Sequence, residues 1–234
     1  MRKIEGNIRR AIEKYDLIEN GDKIAVGLSG GKDSLALLAG LANVKKYAGI
    51  DFDLMAILVD NGNPGNEFSG LQKFCDSLGV ELHIVKSDIY QVVFEIRKES
   101  NPCALCAKMR RGLLCTAAKG FGANKLALGH HADDMLDTFF MSLLFEGRLS
   151  TFKPKSFLDR TGITVIRPLI LCFEEEIRQA AKELPVQKNP CPANGDTSRE
   201  RVKKLVEHLE KTYGTTRQNM FKALISTDRY NLLD

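Results

Sequence analysis

The sequence predicts a doubly wound α/β fold: a parallel five-stranded sheet, with helices closing its C-terminal end. Three observations predict it. Short apolar runs alternate with amphipathic stretches, in the β-α-β-α-β rhythm of parallel strands joined by crossover helices. The first run, Ile24 to Leu28, leads directly through Ser29-Gly30-Gly31-Lys32-Asp33-Ser34 into Leu35 to Ala39, which reads as a buried strand, a tight glycine turn and a helix. Strong loop signals follow two later runs, at Asp60 to Gly65 and at Gly129 to Asp134. They lie at the carboxyl ends of strands, where such sheets bind ligands.

Taken in order, Ile4 to Ile18 reads as an amphipathic helix. Ile4, Ile8, Ala11, Ile12 and Tyr15 lie on one face and Arg9, Arg10, Glu13 and Lys14 opposite. Asn20-Gly21 ends it, and the first strand and glycine turn follow. A helix runs from the turn to about Lys46. The second strand is expected at Leu54 to Val59, a helix at Phe68 to Leu78 and a third strand at Glu81 to Val85. Ser87 to Pro102 is read as a helix and approach loop. The next helix starts at Pro102 or Cys103 and runs to about Lys119. The fourth strand is Lys125 to Leu128, followed by a helix to about Phe145. Residues Glu146 to Gly162 read as a basic loop, and the fifth strand is Ile163 to Ile166. Helices are expected at Glu174 to Leu184, Ser198 to Tyr213 and Thr216 to Leu224. No repeat, low-complexity tract or linker divides the chain. A single domain is expected over residues 1–234, with an N-terminal helix in 1–20 and a helical region in 197–234.

The glycine turn carries specific chemistry. Where a strand turns into a helix, several backbone N–H groups point outward together, and the positive end of the helix dipole reinforces them. Gly30 and Gly31 let a phosphate approach the backbone. Lys32 supplies a point charge, and Ser29 and Ser34 supply hydroxyl donors. Asp33 fits if it helps to hold Mg²⁺. The six residues match neither Gly-x-x-x-x-Gly-Lys-Ser/Thr nor Gly-x-Gly-x-x-Gly. They resemble the PP-loop of the ATP pyrophosphatases, Rossmann-like domains that split ATP between the α- and β-phosphates.

Lys and Arg total 34 against 30 for Asp and Glu, a net charge of +4 that does not by itself announce nucleic acid. Local clusters say more: Arg9-Arg10, Lys108 with Arg110-Arg111, Lys153 with Lys155, and Arg199, Arg201, Lys203 and Lys204. Each reads equally as a solvated face. Arg2, Lys3 and Glu5 are not followed by an apolar core segment, so no signal peptide is expected. No run approaches membrane-spanning length. A soluble, cytoplasmic chain is expected. There its six cysteines are thiols or metal ligands rather than disulfides.

Cys103 and Cys106 form Cys-x-x-Cys on the first turn of a helix, where the dipole, Lys108 and Arg110 favour thiolate. Taken alone, the pair suits zinc, a redox disulfide or an iron–sulfur cluster. Cys191, between Pro190 and Pro192, is the third candidate. With no second Cys-x-x-Cys and no His beside Cys191, a closed Cys₄ zinc site is disfavoured, and three thiolates would leave a coordination position open. Cys75, Cys115 and Cys172 stand in apolar contexts and read as small buried hydrophobes.

Together, Leu28 to Ser34, Asn101-Pro102-Cys103-Ala104-Leu105-Cys106, Arg110-Arg111-Gly112, Leu128 to Asp134, Ile166-Arg167-Pro168-Leu169 and Cys191 resemble the TtcA branch of the TtcA/TtuA family of tRNA thiolases. The resemblance implies a [4Fe-4S] cluster on Cys103, Cys106 and Cys191, with one iron left free of protein ligands to carry the sulfur. It also implies ATP, Mg²⁺ and tRNA, with 2-thiolation of cytidine 32, and a sulfur donor such as a cysteine desulfurase. It leaves a homodimer open and implies no membrane. On this reading Ser29, Gly30, Gly31, Lys32, Asp33, Ser34, Gly129 and Arg110 hold ATP, whose adenine meets the backbone near Leu58 and Val59. Asp33 and Asp133 are the catalytic candidates, for Mg²⁺ and positioning; Asp133 and Asp134 read alternatively as caps of the helix that follows. His130 and His131 are assigned no role as a base. Arg148, Lys153, Lys155 and the C-terminal helices are candidate contacts to the anticodon stem-loop.

Ala132 departs from the Arg common in bacterial 2-thiocytidine enzymes. The additional zinc-finger cysteines of the position-54 2-thiouridine enzymes are absent. Two other readings stay open. One is a PP-loop enzyme acting on a different RNA base or a small substrate. The other is a non-enzymatic, metal-containing RNA-binding protein.

Overall fold

The computed structural model describes residues 1–63, 66–97, 102–187 and 198–226. The elements are α1 (Arg2–Tyr15), β1 (Asp22–Leu28), α2 (Lys32–Val44), β2 (Phe52–Asp60), α3 (Ser69–Leu78), β3 (Glu81–Lys86), a π-helix (Gln91–Ile96), α4 (Pro102–Gly120), β4 (Lys125–Ala127), α5 (Ala132–Glu146), β5 (Lys155–Leu158), β6 (Ile163–Ile166), α6 (Glu174–Ala180) with a 3-10 turn (Ala181–Glu183), α7 (Ser198–Tyr213) and α8 (Thr216–Ile225).

Among the described residues the sheet has six strands, in the order β3-β2-β1-β4-β6-β5. The five expected strands are all present and mutually parallel. The sixth corrects the sequence reading. Residues 155–158, expected within a basic loop, form an antiparallel edge strand that pairs Lys155 with Ile166 and Leu158 with Ile163. At four residues, Lys155-Ser156-Phe157-Leu158, it is short enough for a sheet edge and too short to show an apolar pattern.

The strand order reverses between β1 and β4. β1 pairs with β2 on one side, in register from Asp22↔Phe52 to Leu28↔Leu58, and with β4 on the other. This reversal is the topological switch point, where an α/β sheet opens a crevice at its carboxyl edge. The segments leaving these two strands there are the glycine turn and Gly129-His130-His131.

α2 covers β1 and packs against α1 and α6. Leu35, Leu37, Leu38 and Leu41 are all fully buried, because the helix is enclosed on most sides. α1 lays Ile4, Ile8, Ala11 and Ile12 onto it. Gly40 admits this contact: a Cβ there would overlap the Ile8 Cδ1 methyl. The other layer is carried by α4, whose Leu114, Cys115 and Ala118 pack with Ala25, Ile57, Leu126 and Val165.

The described residues group into two compact units. The first contains α1 through His131 together with β5, β6 and α6. The second contains α5, the 147–153 segment, α7 and α8. In the second unit α5 packs on α7 and α8, and Val202, Val206 and Phe221 are buried. No helix among the described residues is long and apolar enough to cross a membrane.

Candidate active site

β1 delivers the chain into a turn tied by its own serines. The Ser29 N–H donates to Ser34 Oγ (3.1 Å), and the two hydroxyl oxygens lie 3.2 Å apart. The Ser34 hydroxyl donates to the Gly31 carbonyl (2.9 Å). Gly30 sits at φ +76°, a conformation that L side chains rarely adopt. Gly31 is the N-cap of α2 and has no side chain to bond the first amides. The start of α2 is therefore left open to an external anion.

Lys32 Nζ reaches both Asp33 (3.2 Å) and Glu174 (3.0 Å), the latter at the start of α6. Burial works to lower the Lys32 pKa, but the two carboxylates outweigh it and hold it above its ordinary value. Sequence reading missed Glu174, which lies 142 residues from Lys32 and has no local signature beyond an acidic helix start.

β4 ends against the same turn. A Cβ on Gly129 would lie 3.1 Å from the Asp33 carbonyl carbon and 3.2 Å from the Ser34 nitrogen. His131, only 3% exposed, places Nε2 at 3.7 Å from Asp33 Oδ1. Gly129, expected among the nucleotide contacts, is thus also the residue that permits β4 and α2 to meet. Gln187 closes the opposite side. Its N–H donates to the Gly30 carbonyl (3.0 Å), and its side-chain amide donates to the Glu67 carbonyl (2.9 Å). Nothing local in the sequence singles it out.

The β2 end is where the sequence leads one to expect the adenine. The ladder with β1 ends at Leu28↔Leu58, so the β1-facing edge of Val59 lies past the last pair. Beyond it, Asn66 Nδ2 donates to Asp60 Oδ1 (2.8 Å) and to Asn61 Oδ1 (3.0 Å), holding the loop.

Cys103 is exposed and Cys106 half-buried on the first turn of α4, and neither forms a disulfide. Cys191 lies outside the described residues. No group of three or more His, Cys, Asp or Glu suited to a metal occurs among the described residues. Cys75, Cys115 and Cys172 are buried, as their apolar contexts predict. Burial pushes the thiol of Cys75 up to about 11 and that of Cys172 to about 12, which leaves both protonated and inert at neutral pH. Arg110 is exposed on α4, and none of the bonds above reaches it.

In the second unit, Asp133 is 3% exposed and its carboxylate meets the Arg217 guanidinium, which also bonds Glu210 (2.7 Å). Asp134 pairs with Arg199 (3.2 Å). Neither the catalytic nor the capping reading of these acids anticipates the arginine partners.

A family model described as a PP-loop domain matches residues 2–209. A tRNA-cytidine(32) 2-sulfurtransferase of Dechloromonas aromatica is 38% identical, over 99% of this chain and 82% of its own length. One of Pseudomonas entomophila is 39% identical, over 99% and 88%. Among solved structures, the U34-tRNA thiolase NcsA from Methanococcus maripaludis, with its [4Fe-4S] cluster, superposes with a TM-score of 0.75 at 27% identity, covering 94% of this chain and 76% of that one.

Proposed function

The chain belongs to the PP-loop domain family, and from that premise we propose that it is an ATP-dependent tRNA sulfurtransferase that replaces the C2 oxygen of cytidine 32 with sulfur. One observation carries the reading. A helix start open to a phosphate and a Cys-x-x-Cys pair at another helix start occur in one chain, and that chain matches tRNA-cytidine(32) 2-sulfurtransferases over 99% of its length.

The C2 oxygen of a pyrimidine is a poor leaving group. Transfer of AMP to it releases pyrophosphate, and sulfur then replaces the oxygen as AMP departs. In the first step the amides at the start of α2 receive the phosphates. Lys32 exchanges its carboxylate partners for phosphate oxygens, and Ser29 and Ser34 keep the turn in shape. Asp33 is the proposed carboxylate for Mg²⁺, which needs only one or two protein carboxylates beside phosphate and water. Asp133, the other acid proposed for this work, serves only if Arg217 releases it. Leu58 and Val59 line the adenine end. Arg110 is the proposed outer contact to the nucleotide.

Cys103 and Cys106 fit a soft metal group: two cysteines three residues apart at one helix start, outside any disulfide. Cys191 is the proposed third ligand. Held by these three cysteines, a [4Fe-4S] cluster would supply the chemistry that delivers the sulfur. The chain's own part is to present the thiolates and exclude water from the activated base. A sulfur donor such as a cysteine desulfurase, action in the cytoplasm where tRNA is found, and a homodimer complete the proposal.

Nucleoside mass spectrometry of tRNA from cells with and without the protein tests it. Loss of 2-thiocytidine, restored by the wild-type chain, is expected. Unchanged 2-thiocytidine with a missing 2-thiouridine would move the target to another position, and an unchanged profile would overturn the sulfurtransferase reading.

A further inference from the structure

α4 and the β5–β6 hairpin enclose a groove of about 700 Å³ in the first unit. Its walls carry Lys108 and Arg111 from the helix and Phe157 and Arg160 from the hairpin, with Asp159 as its one acid. Lys108, Arg111 and Arg160 form no ion pair among the described residues. The positive charge is concentrated further. Burial, then the charge of Arg111, pushes the pKa of the nearby Arg167 down to about 10. The buried Cys115 on the groove floor feels both Arg111 and Arg160. Cations gathered around a cavity without a carboxylate for each repel one another, and an anion bound among them relieves that repulsion.

Phe157 adds a second feature. It is 62% exposed on the edge strand, although its strand neighbours Ser156 and Leu158 are half-buried. An exposed aromatic face beside unpaired cations is the combination that binds single-stranded nucleic acid, the ring stacking a base while the cations take phosphates. The place is apt. Ala104 and Ala107, each the residue after a cysteine of the Cys103–Cys106 pair, line the groove. A strand lying in it would pass within one helical turn of those thiols.

We propose that this groove holds the single-stranded RNA segment next to the base being modified, with its phosphates on Lys108, Arg111 and Arg160 and one unstacked base on Phe157. The proposal rests on the tRNA reading above, and it assigns a surface that the β5 strand creates and that no residue of the glycine turn enters.

The test measures tRNA affinity of the anaerobically purified holoprotein across a salt series, for wild type, Phe157→Ala, Phe157→Tyr, Lys108→Ala and Arg160→Ala, with iron content and thermal melting as controls for folding. Phe157→Ala is expected to weaken binding at least about fivefold with an unchanged salt slope, and Phe157→Tyr to restore it. Each cation removed is expected to weaken binding several-fold and to lower the slope of log K against log salt by about 0.7. Folded variants that bind tRNA with wild-type affinity and slope, while wild type thiolates tRNA, would overturn the groove alone. A wild-type protein that binds no tRNA would overturn both readings. Competition by a polyglutamate peptide but not by single-stranded RNA would assign the groove to an acidic protein surface and overturn the proposal.

Discussion

Helices α2 and α5 begin alike and end up doing different work. Each follows a parallel strand of the sheet, and each carries aspartate in its first turn: Asp33 in α2, Asp133 and Asp134 in α5. At α2 the cap is a glycine, the acid is paired with its own neighbour Lys32, and the Asp33 side chain keeps 31% exposure. At α5 the first-turn acids complement the helix dipole themselves and are then bound by arginines from α7 and α8, leaving the Asp133 side chain 5% exposed. The same local chemistry thus leaves one helix start uncapped and ties the acids of the other to arginines. What differs is the partner: arginines from α7 and α8 take the acids of α5, whereas at α2 the distant residues are the carboxylate of Glu174 on Lys32 and the His131 ring beside Asp33.

This contrast can be broken from either side. The largest effect is expected at α2. Lys32→Ala should lower ATP-dependent thiolation at least about a hundredfold. It should move the melting temperature by less than about 2 °C, because the ion pairs it loses are partly exposed. A thiolation assay with differential scanning calorimetry reads both; unchanged turnover would discredit the phosphate site. Asp133→Ala should show the reverse emphasis. It removes a buried partner of Arg217, which keeps Glu210 and some solvent, so a loss of about 2 kcal/mol is expected, or roughly 4–8 °C in melting temperature. A full-strength melting profile would show that the ion pair contributes nothing.

A pH dependence sharpens the comparison within α5. Asp137, one turn further on, is 3% exposed. Burial pushes its carboxyl up to about 7; Lys203 and Arg199 pull it down, and Asp134 and Asp133 push it up. The folded chain therefore holds a proton here that the unfolded chain releases near pH 4. Stability should fall as pH rises from about 4 through about 7, at most by about 1.4 kcal/mol per unit of difference between the folded and unfolded pKa. Asp137→Asn should flatten that fall, and melting curves at pH 5 and pH 8 that differ equally in both proteins would refute it.

The patterns that could be read from sequence share a property: each is local. Apolar runs of strand length, the amphipathic face of α1 and the glycine turn all lie within windows of a few turns, and their elements appear where periodicity places them. β5 was not readable, because four residues beginning with Lys155 become a strand only through pairing with β6. The π-helix at Gln91–Ile96 stayed a general helix-and-loop expectation, since no simple apolar period marks that winding.

Local sequence sets the chemistry at each position: backbone amides and a lysine at the turn, thiols at the start of α4, acids at the start of α5. Those choices rest on short-range geometry, because a glycine turn before a helix points its amides outward whatever surrounds it. Which residues meet is set by the packing of the whole chain. Lys32 finds Glu174, Gln187 clasps the Gly30 carbonyl, Gly129 lets β4 touch the first turn of α2, and Arg217 takes Asp133. Each partner lies far along the chain. Such meetings depend on strand order and helix packing, which bring distant residues together through the burial of the whole core rather than through any signal in their own neighbourhoods.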